Sequence, residues 1–278
     1  MKILVVKLSS LGDVVHAMPA VQDMHAALPD AQIDWVVESG FAPLVARCKG
    51  VRSVIAADLR QWRKAPLSAR TRSEWRAFRQ QLRTERYDAV LDLQGLTKSA
   101  LVARVARLSD DGKRYALGNQ TEGAGWEAPT RWLADVAIPI EPHIHAVRRS
   151  RELCARALGY ELPFSLSYGL VAFSSRTSYA MQTIAGSEIA LVHGTSRDDK
   201  CWPEPHWIEL GRLLIAQGHT LGLPHGSDKE RERSGRLAAA LGTQAGVWPR
   251  LGLDALTDRM AACAGVIGVD SGLSHIAV

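Results

Sequence analysis

The run Lys2-Ile-Leu-Val-Val-Lys-Leu-Ser-Ser-Leu-Gly-Asp-Val-Val-His16 decides the fold class. Ile3–Val6 is short, β-branched and apolar without alternation, the pattern of a strand buried on both faces. Val14–Leu28 continues as a helical stretch, and Lys7-Leu-Ser-Ser-Leu-Gly-Asp13 is the turn between them. Ile33–Val37, Val54–Ala56 and Ala89–Leu93 repeat the strand pattern. Trp75, Phe78 and Leu82 recur at the spacing of one helix face. This alternation predicts a mostly parallel sheet with helices on both sides. A helix over Glu141–Tyr160 leads to a second set: strands at Ile189–His193, Thr220–Leu223 and Val266–Val269, helices at Pro203–Gln217, Ser227–Leu241 and Leu253–Cys263. The expectation is an α/β fold of two Rossmann-like domains, residues 1–165 and 166–278. The last helix begins near Gly272 and has little room before Val278, so the second domain is expected to lack its C-terminal end.

Composition narrows the class. With 278 residues, 46% hydrophobic and 23% charged, the chain is globular and long enough for two cores. The net charge is +5, but Arg60–Arg86 alone holds nine basic residues and two acids, so the remainder is slightly acidic. A nucleic-acid binder with a uniformly basic surface is thereby excluded, and an anionic partner is expected at one face of the first half. Cys48, Cys154, Cys201 and Cys263 lie far apart with no CxxC pair, which argues for reduced thiols over a disulfide framework or a zinc site. Lys7 and Asp13 break the N-terminal apolar run, which is wrong for a signal peptide, and no run of ~18 uncharged apolar residues predicts a membrane span. The chain reads as cytoplasmic.

Four segments can carry chemistry. The turn Lys7–Asp13 follows a strand directly and so faces the ligand side of an open sheet; Gly12 permits close approach, while Asp13 equally serves as a helix cap. Thr195-Ser-Arg-Asp-Asp-Lys-Cys-Trp-Pro203 again joins strand to helix; its hydroxyls and Lys200 suit a phosphate, or simply cap the next helix. Gly268-Val-Asp-Ser-Gly-Leu-Ser-His275 has the backbone N–H groups and glycine that suit a diphosphate. Arg60, Arg63 and Lys64 lie in a predicted loop with Trp62 and suit acidic groups, whereas Arg76, Arg79, Arg83 and Arg86 step along one face of a solvated helix. GxGxxG and GxxxxGK[ST] are absent, against a nicotinamide dehydrogenase or epimerase and a P-loop NTPase. Asp-x-Asp is absent too, so a sugar transferase here must stabilise its leaving diphosphate without that metal pair.

Together KxSSxGDVVHAMPA (Lys7–Ala20), DWVVESGF (Asp34–Phe41), WRK (Trp62–Lys64), YDAVLDLQGLTKSA (Tyr87–Ala100), TSRDDKCWP and VDSGLSH resemble the lipopolysaccharide heptosyltransferases of glycosyltransferase family 9, the heptosyltransferase I branch above all. The resemblance runs in order over nearly the whole chain. It implies a GT-B fold, two Rossmann-like domains facing across a cleft, the first taking the acceptor and the second the nucleotide sugar. The implied reaction moves L-glycero-D-manno-heptose from ADP-heptose to the inner Kdo of Kdo2-lipid A, with inversion and without an essential metal or other cofactor. It would take place at the cytoplasmic face of the inner membrane, with contact to the membrane surface. By this resemblance Asp13 is the general base, and Lys200 serves both catalysis and donor binding. Thr195, Ser196, Asp270, Ser271, Gly272 and His275 complete the diphosphate and sugar site. Glu230 takes the ribose, with Glu232 as the alternative register, and Leu251 meets the nucleotide. Ser10, Gly12, Arg60, Arg63, Lys64 and Lys98 line the acceptor side. The alternatives are a heptosyltransferase II, which adds the next heptose, and a non-catalytic ADP-sugar-binding protein.

Overall fold

The computed structural model describes residues 1–172, 187–195 and 197–277. The chain divides into two compact units, Met1–Val171 and Ala172–Val278.

The first unit runs β1 (Lys2–Val6), α1 (Leu11–Ala27), β2 (Gln32–Glu38), α2 (Ala42–Val45), β3 (Val51–Ala57), α3 (Leu59–Lys64) and α4 (Ala69–Leu82). It continues with β4 (Arg86–Asp92), α5 (Thr97–Val105), β5 (Arg107–Leu117), α6 (Pro129–Leu133), β6 (Val136–Ile138) and α7 (Ala146–Leu158). Its strands form one parallel sheet in the order β3-β2-β1-β4-β5-β6. The winding direction reverses between β1 and β4, and ligands of such sheets sit beyond the carboxyl ends of the strands at that reversal. Ile3–Val6 is fully buried between Ile33–Val36 and Ala89–Asp92, as its uninterrupted apolar pattern requires. Each such side chain contributes roughly 1.5–3 kcal/mol by leaving water.

Two ion pairs, one at a buried carboxylate with a half-exposed arginine and one buried on both sides, tie elements of this unit together. Asp34 accepts both Arg52 Nε at 2.9 Å and Nη2 at 2.7 Å, and the Tyr87 hydroxyl donates to it at 2.9 Å. Arg151 of α7 donates to Asp23 of α1 at 2.6 and 3.1 Å, and to the Pro163 and Ser165 carbonyls at 2.7 and 2.8 Å. Buried pairs of this kind specify geometry more than they add stability.

The second unit runs β7 (Glu188–Val192), α8 (Glu204–Ala216), β8 (Thr220–Leu223), α9 (Asp228–Leu241), β9 (Ala245–Val247), α10 (Leu253–Ala261), β10 (Gly265–Gly268) and α11 (Gly272–Ile276). Its parallel order β10-β7-β8-β9 repeats the β4-β1-β2-β3 portion of the first sheet, so its reversal falls between β7 and β10. Leu191, Trp207, Leu221, Leu223 and Leu237 form its core. Among the described residues no helix is long and apolar enough to cross a membrane.

Two sequence expectations need correction. Arg60–Lys64 is not a loop but most of the short helix α3. One helical turn sinks Trp62 against Trp75 and Phe78, with its indole N–H on Glu74 at 3.0 Å, and leaves Arg60, Arg63 and Lys64 outside. Arg86 is not on the α4 face: α4 closes at Leu82 with Arg83 as its C-cap, and Arg86 opens β4, 3.5 Å from Asp110. Arg76, Arg79 and Arg83 are solvated as expected.

Candidate active site

In each sheet part of the candidate set lies at the reversal: Ser10, Gly12 and Asp13 after β1 in the first, Thr195, Lys200 and Asp270–His275 after β7 and β10 in the second. In the first unit, β1 ends in a turn that α1 and β4 hold from both sides. The Gln94 side-chain carbonyl accepts the N–H groups of Leu8 and Ser9, each at 3.1 Å. Lys7, only 3% exposed, donates to the Leu93 carbonyl at 3.0 Å and stands 3.6 Å from Asp13 Oδ1. Asp13 occupies the first turn of α1 and accepts both the backbone N–H and the hydroxyl of Ser10, at 3.1 and 2.9 Å. It is therefore a helix cap, and its side chain is also 35% exposed at the ligand end of the sheet. Burial pushes the Asp13 carboxyl up, but Lys7, Ser10 and Arg149 outweigh it and hold the group below the usual carboxylate range. Burial lowers the Lys7 ammonium, which Asp13 partly offsets.

Behind this pair lies Asp92, buried at the end of β4. It accepts the N–H groups of Gln94 and Gly95 at 3.0 and 3.4 Å and the Ser99 hydroxyl at 3.0 Å. Burial raises it to about 6 despite those bonds. Arg60 and Lys98 both act on Glu38, the buried last residue of β2. Burial raises the Glu38 carboxyl, against the pull of Arg60 and Lys98. Arg63 and Lys64 lie exposed at the end of α3, and Ser10 and Gly12 sit at the entrance to α1.

In the second unit, Asp270 organises the reversal. Its carbonyl accepts the Thr195 hydroxyl at 3.2 Å, and its carboxylate takes Lys200 at 2.5 Å and lies 3.4 Å from His275 Nε2. Ser271 caps α11, accepting the Ser274 N–H at 3.4 Å, and Gly272 is the first helical residue. Glu230 caps α9 through the N–H groups of Gly226 and Ser227, at 2.6 and 3.1 Å. It lies so close over Gly194 that a Cβ there would come within 2.6 Å of its Oε1. Glu232, the other register, is exposed. Gly268 is equally confined, since a Cβ would meet the Ser274 hydroxyl at 2.3 Å. Leu251 is half-buried in the loop after β9, at the same edge of the sheet. Ser196 lies outside the described residues.

The sequence reading missed several groups around these sites. Glu38, Asp92 and Gln94 fall inside quoted segments but were given no role there, and Arg149 falls in none; their places are set by β2, β4 and α7. His193, at the end of β7, is fully buried with Nε2 2.8 Å from the Ser234 hydroxyl, and burial lowers it to about 4. Among the described residues no group of three His, Cys, Asp or Glu side chains is disposed to hold a metal ion.

Residues 75–278 match the sequence profile of glycosyltransferase family 9 (heptosyltransferase). A lipopolysaccharide heptosyltransferase 1 of Escherichia coli K12 is 41% identical over 280 residues, which span 99% of this chain and 84% of the relative. A lipopolysaccharide heptosyltransferase 2 of the same strain is 30% identical over 292 residues, spanning 100% of this chain and 79% of the relative. Among solved structures, E. coli heptosyltransferase WaaC with ADP agrees with a TM-score of 0.88 at 40% identity, covering 100% of this chain and 84% of that one. The two Rossmann-like units are thus those of a GT-B-type α/β fold.

Proposed function

The chain belongs to glycosyltransferase family 9, the heptosyltransferases, and from that premise we propose that it transfers L-glycero-D-manno-heptose from ADP-heptose to the inner Kdo of Kdo2-lipid A. The observation that carries this reading is that one unit presents a lysine-backed carboxylate at its reversal and the other a lysine–aspartate–histidine set at its own. The greater identity to heptosyltransferase 1 than to heptosyltransferase 2 favours the first heptose over the second.

In this reading Asp13 takes the proton of the acceptor hydroxyl as it attacks the anomeric carbon, with inversion. A carboxylate below its usual range is a weak base, so the reaction depends on positioning and exclusion of water more than on basicity. Thr195, Ser196, Lys200, Ser271, Gly272 and His275 receive the diphosphate and sugar. The incoming phosphate shares Lys200 with Asp270, and the lysine stabilises the charge of the departing ADP. Glu230 meets the ribose and Leu251 the nucleotide. Arg60, Arg63, Lys64 and Lys98, with Ser10 and Gly12, meet the anionic acceptor, and the basic surface brings the enzyme to the cytoplasmic face of the inner membrane. No metal is required in this scheme, so activity should survive EDTA.

The test is product analysis with ADP-heptose and either Kdo2-lipid A or its mono-heptosylated form. A one-heptose mass increase on Kdo2-lipid A supports the reading. Transfer to the heptosylated acceptor alone replaces it with the second-heptose reaction, and binding of ADP-heptose with no transfer replaces it with a non-catalytic role.

A further inference from the structure

Helices α1 and α7 bring together two faces that no motif joins. Asp13 and His16 lie one turn apart on α1; His145, which caps α7, and Arg149 lie one turn apart on α7. The His16 and His145 rings stand 5.6 Å apart, and the Arg149 charge acts on both Asp13 and Lys7. Arg149 is 3% exposed. Its hydrogen bonds among the described residues both leave Nη1, to the Thr121 hydroxyl at 3.1 Å and the Glu122 carbonyl at 3.4 Å. Both acceptors are neutral, and no carboxylate of the described residues lies within 4.0 Å of the guanidinium.

Arg151, two residues along the same helix and also buried, shows the ordinary solution: a two-pronged pair with Asp23. A buried cation without such a partner costs several kcal/mol and invites an anion. Asp13 feels the Arg149 charge but makes no hydrogen bond or ion pair with it; its close partners are Lys7 and Ser10. With Nη1 occupied, the Nε–Nη2 edge remains, and its planar fork matches a carboxylate.

Building on the acceptor assignment above, we propose that Arg149 binds a carboxylate of the acceptor sugar and so sets the attacking hydroxyl of that same ring against Asp13. The exposed cations Arg60, Arg63, Lys64 and Lys98 then remain for the acceptor's other anionic groups. The ring that carries the reacting hydroxyl also carries a carboxylate, whereas the lipid A phosphates sit on other sugars.

The test compares wild type, Arg149→Met and Arg149→Lys on three acceptors: Kdo2-lipid A, its Kdo methyl esters, and its dephosphorylated form. Esterification should lower wild-type kcat/KM by about tenfold or more, the size of a lost charge-assisted pair. Arg149→Met should lose as much on the free acid, lose little further on the esters, and keep its donor KM. Arg149→Lys, which keeps the charge without the fork, should fall between and supplies the comparison if the methionine variant does not fold. The proposal is overturned if the variants retain the full ester penalty. It is also overturned if they lose the dephosphorylation penalty instead, or if donor and acceptor KM rise together with a lower Tm. A wild type that does not use Kdo2-lipid A overturns the acceptor assignment itself; transfer by wild type with the ester penalty intact in the variants overturns this proposal alone.

Discussion

Lys7 Nζ stands 3.6 Å from Asp13 Oδ1 while donating to the Leu93 carbonyl, so one buried lysine ties the proposed base to the strand across the sheet reversal. The lysine is a permanent neighbour of that carboxylate, and it keeps the group ionised in a half-buried place. Replacing it by methionine removes the attraction and leaves the burial. The Asp13 carboxyl should rise, and the acidic limb of the kcat/KM profile should move to higher pH. An unmoved limb in Lys7→Met would show that Lys7 does not set the ionisation of Asp13.

Asp13→Asn keeps the shape and an oxygen for the Ser10 cap but offers no basic oxygen to a proton. Transfer should fall below detection while calorimetry finds ADP binding almost unchanged, because ADP is assigned to the second unit. Turnover near that of wild type would remove Asp13 from the role of base.

Lys200→Ala should weaken the donor and slow the reaction together, since the same ammonium is proposed to meet the diphosphate and the leaving charge. Arg63→Glu with Lys64→Glu should raise acceptor KM and leave donor KM alone, because both residues lie exposed on α3. Steady-state kinetics with each substrate varied in turn separates the two patterns.

Gly194→Ala places a methyl group 2.6 Å from Glu230 Oε1. The carboxylate must leave the N–H groups of Gly226 and Ser227, with a cost near ~1 kcal/mol for a lost cap. Donor KM should rise alongside a small fall in Tm. A variant with unchanged donor KM would detach Glu230 from the nucleotide.

Two buried groups give stability opposite dependences on pH. His193 is lowered to about 4, so its folded form sheds a proton that the unfolded chain holds up to about 6.5. Its contribution is complete above ~6.5 and is lost as pH falls through 4, up to about 3 kcal/mol. Asp92 is raised to about 6, so its contribution is complete below the unfolded value near ~3.9 and is lost as pH rises through 6. His193→Asn should flatten the acid loss of Tm, and Asp92→Asn should flatten the opposing change; thermal melts between pH 4 and 7 read both.

What the sequence revealed depended on how completely an element is buried. β1, β2, β4 and β7 announce themselves because both faces are covered along an uninterrupted apolar run: Ile3–Val6, Trp35–Val37, Ala89–Leu91 and Ile189–Val192. β5 does not, since Ser109–Arg114 is polar and largely at the surface, and neither do β6 and β9, three residues each. The turns that carry Asp13, Lys200 and Asp270 were legible because they directly follow strands. Their supporting groups were not: Gln94 reaches Leu8 across 86 residues of chain, and Arg149 meets α1 only through helix packing. Trp62 misled in a third way. Its charged neighbours suggested a loop, whereas its indole needed the shelter that a helical turn gives.

The repeated strand order has a consequence for evolution and for engineering. Both units place a lysine beside a carboxylate at the same address on the same scaffold, where the winding changes direction, and the proposed function puts its working groups there. Divergence at such an address requires new loops and no new strands. If the proposed assignment holds, nucleotide choice can drift in residues 193–203 and 268–276 while residues 7–13 and 58–64 follow a different acceptor, each at its own pace. Grafting those loops between relatives is then a practical way to exchange one substrate and keep the other.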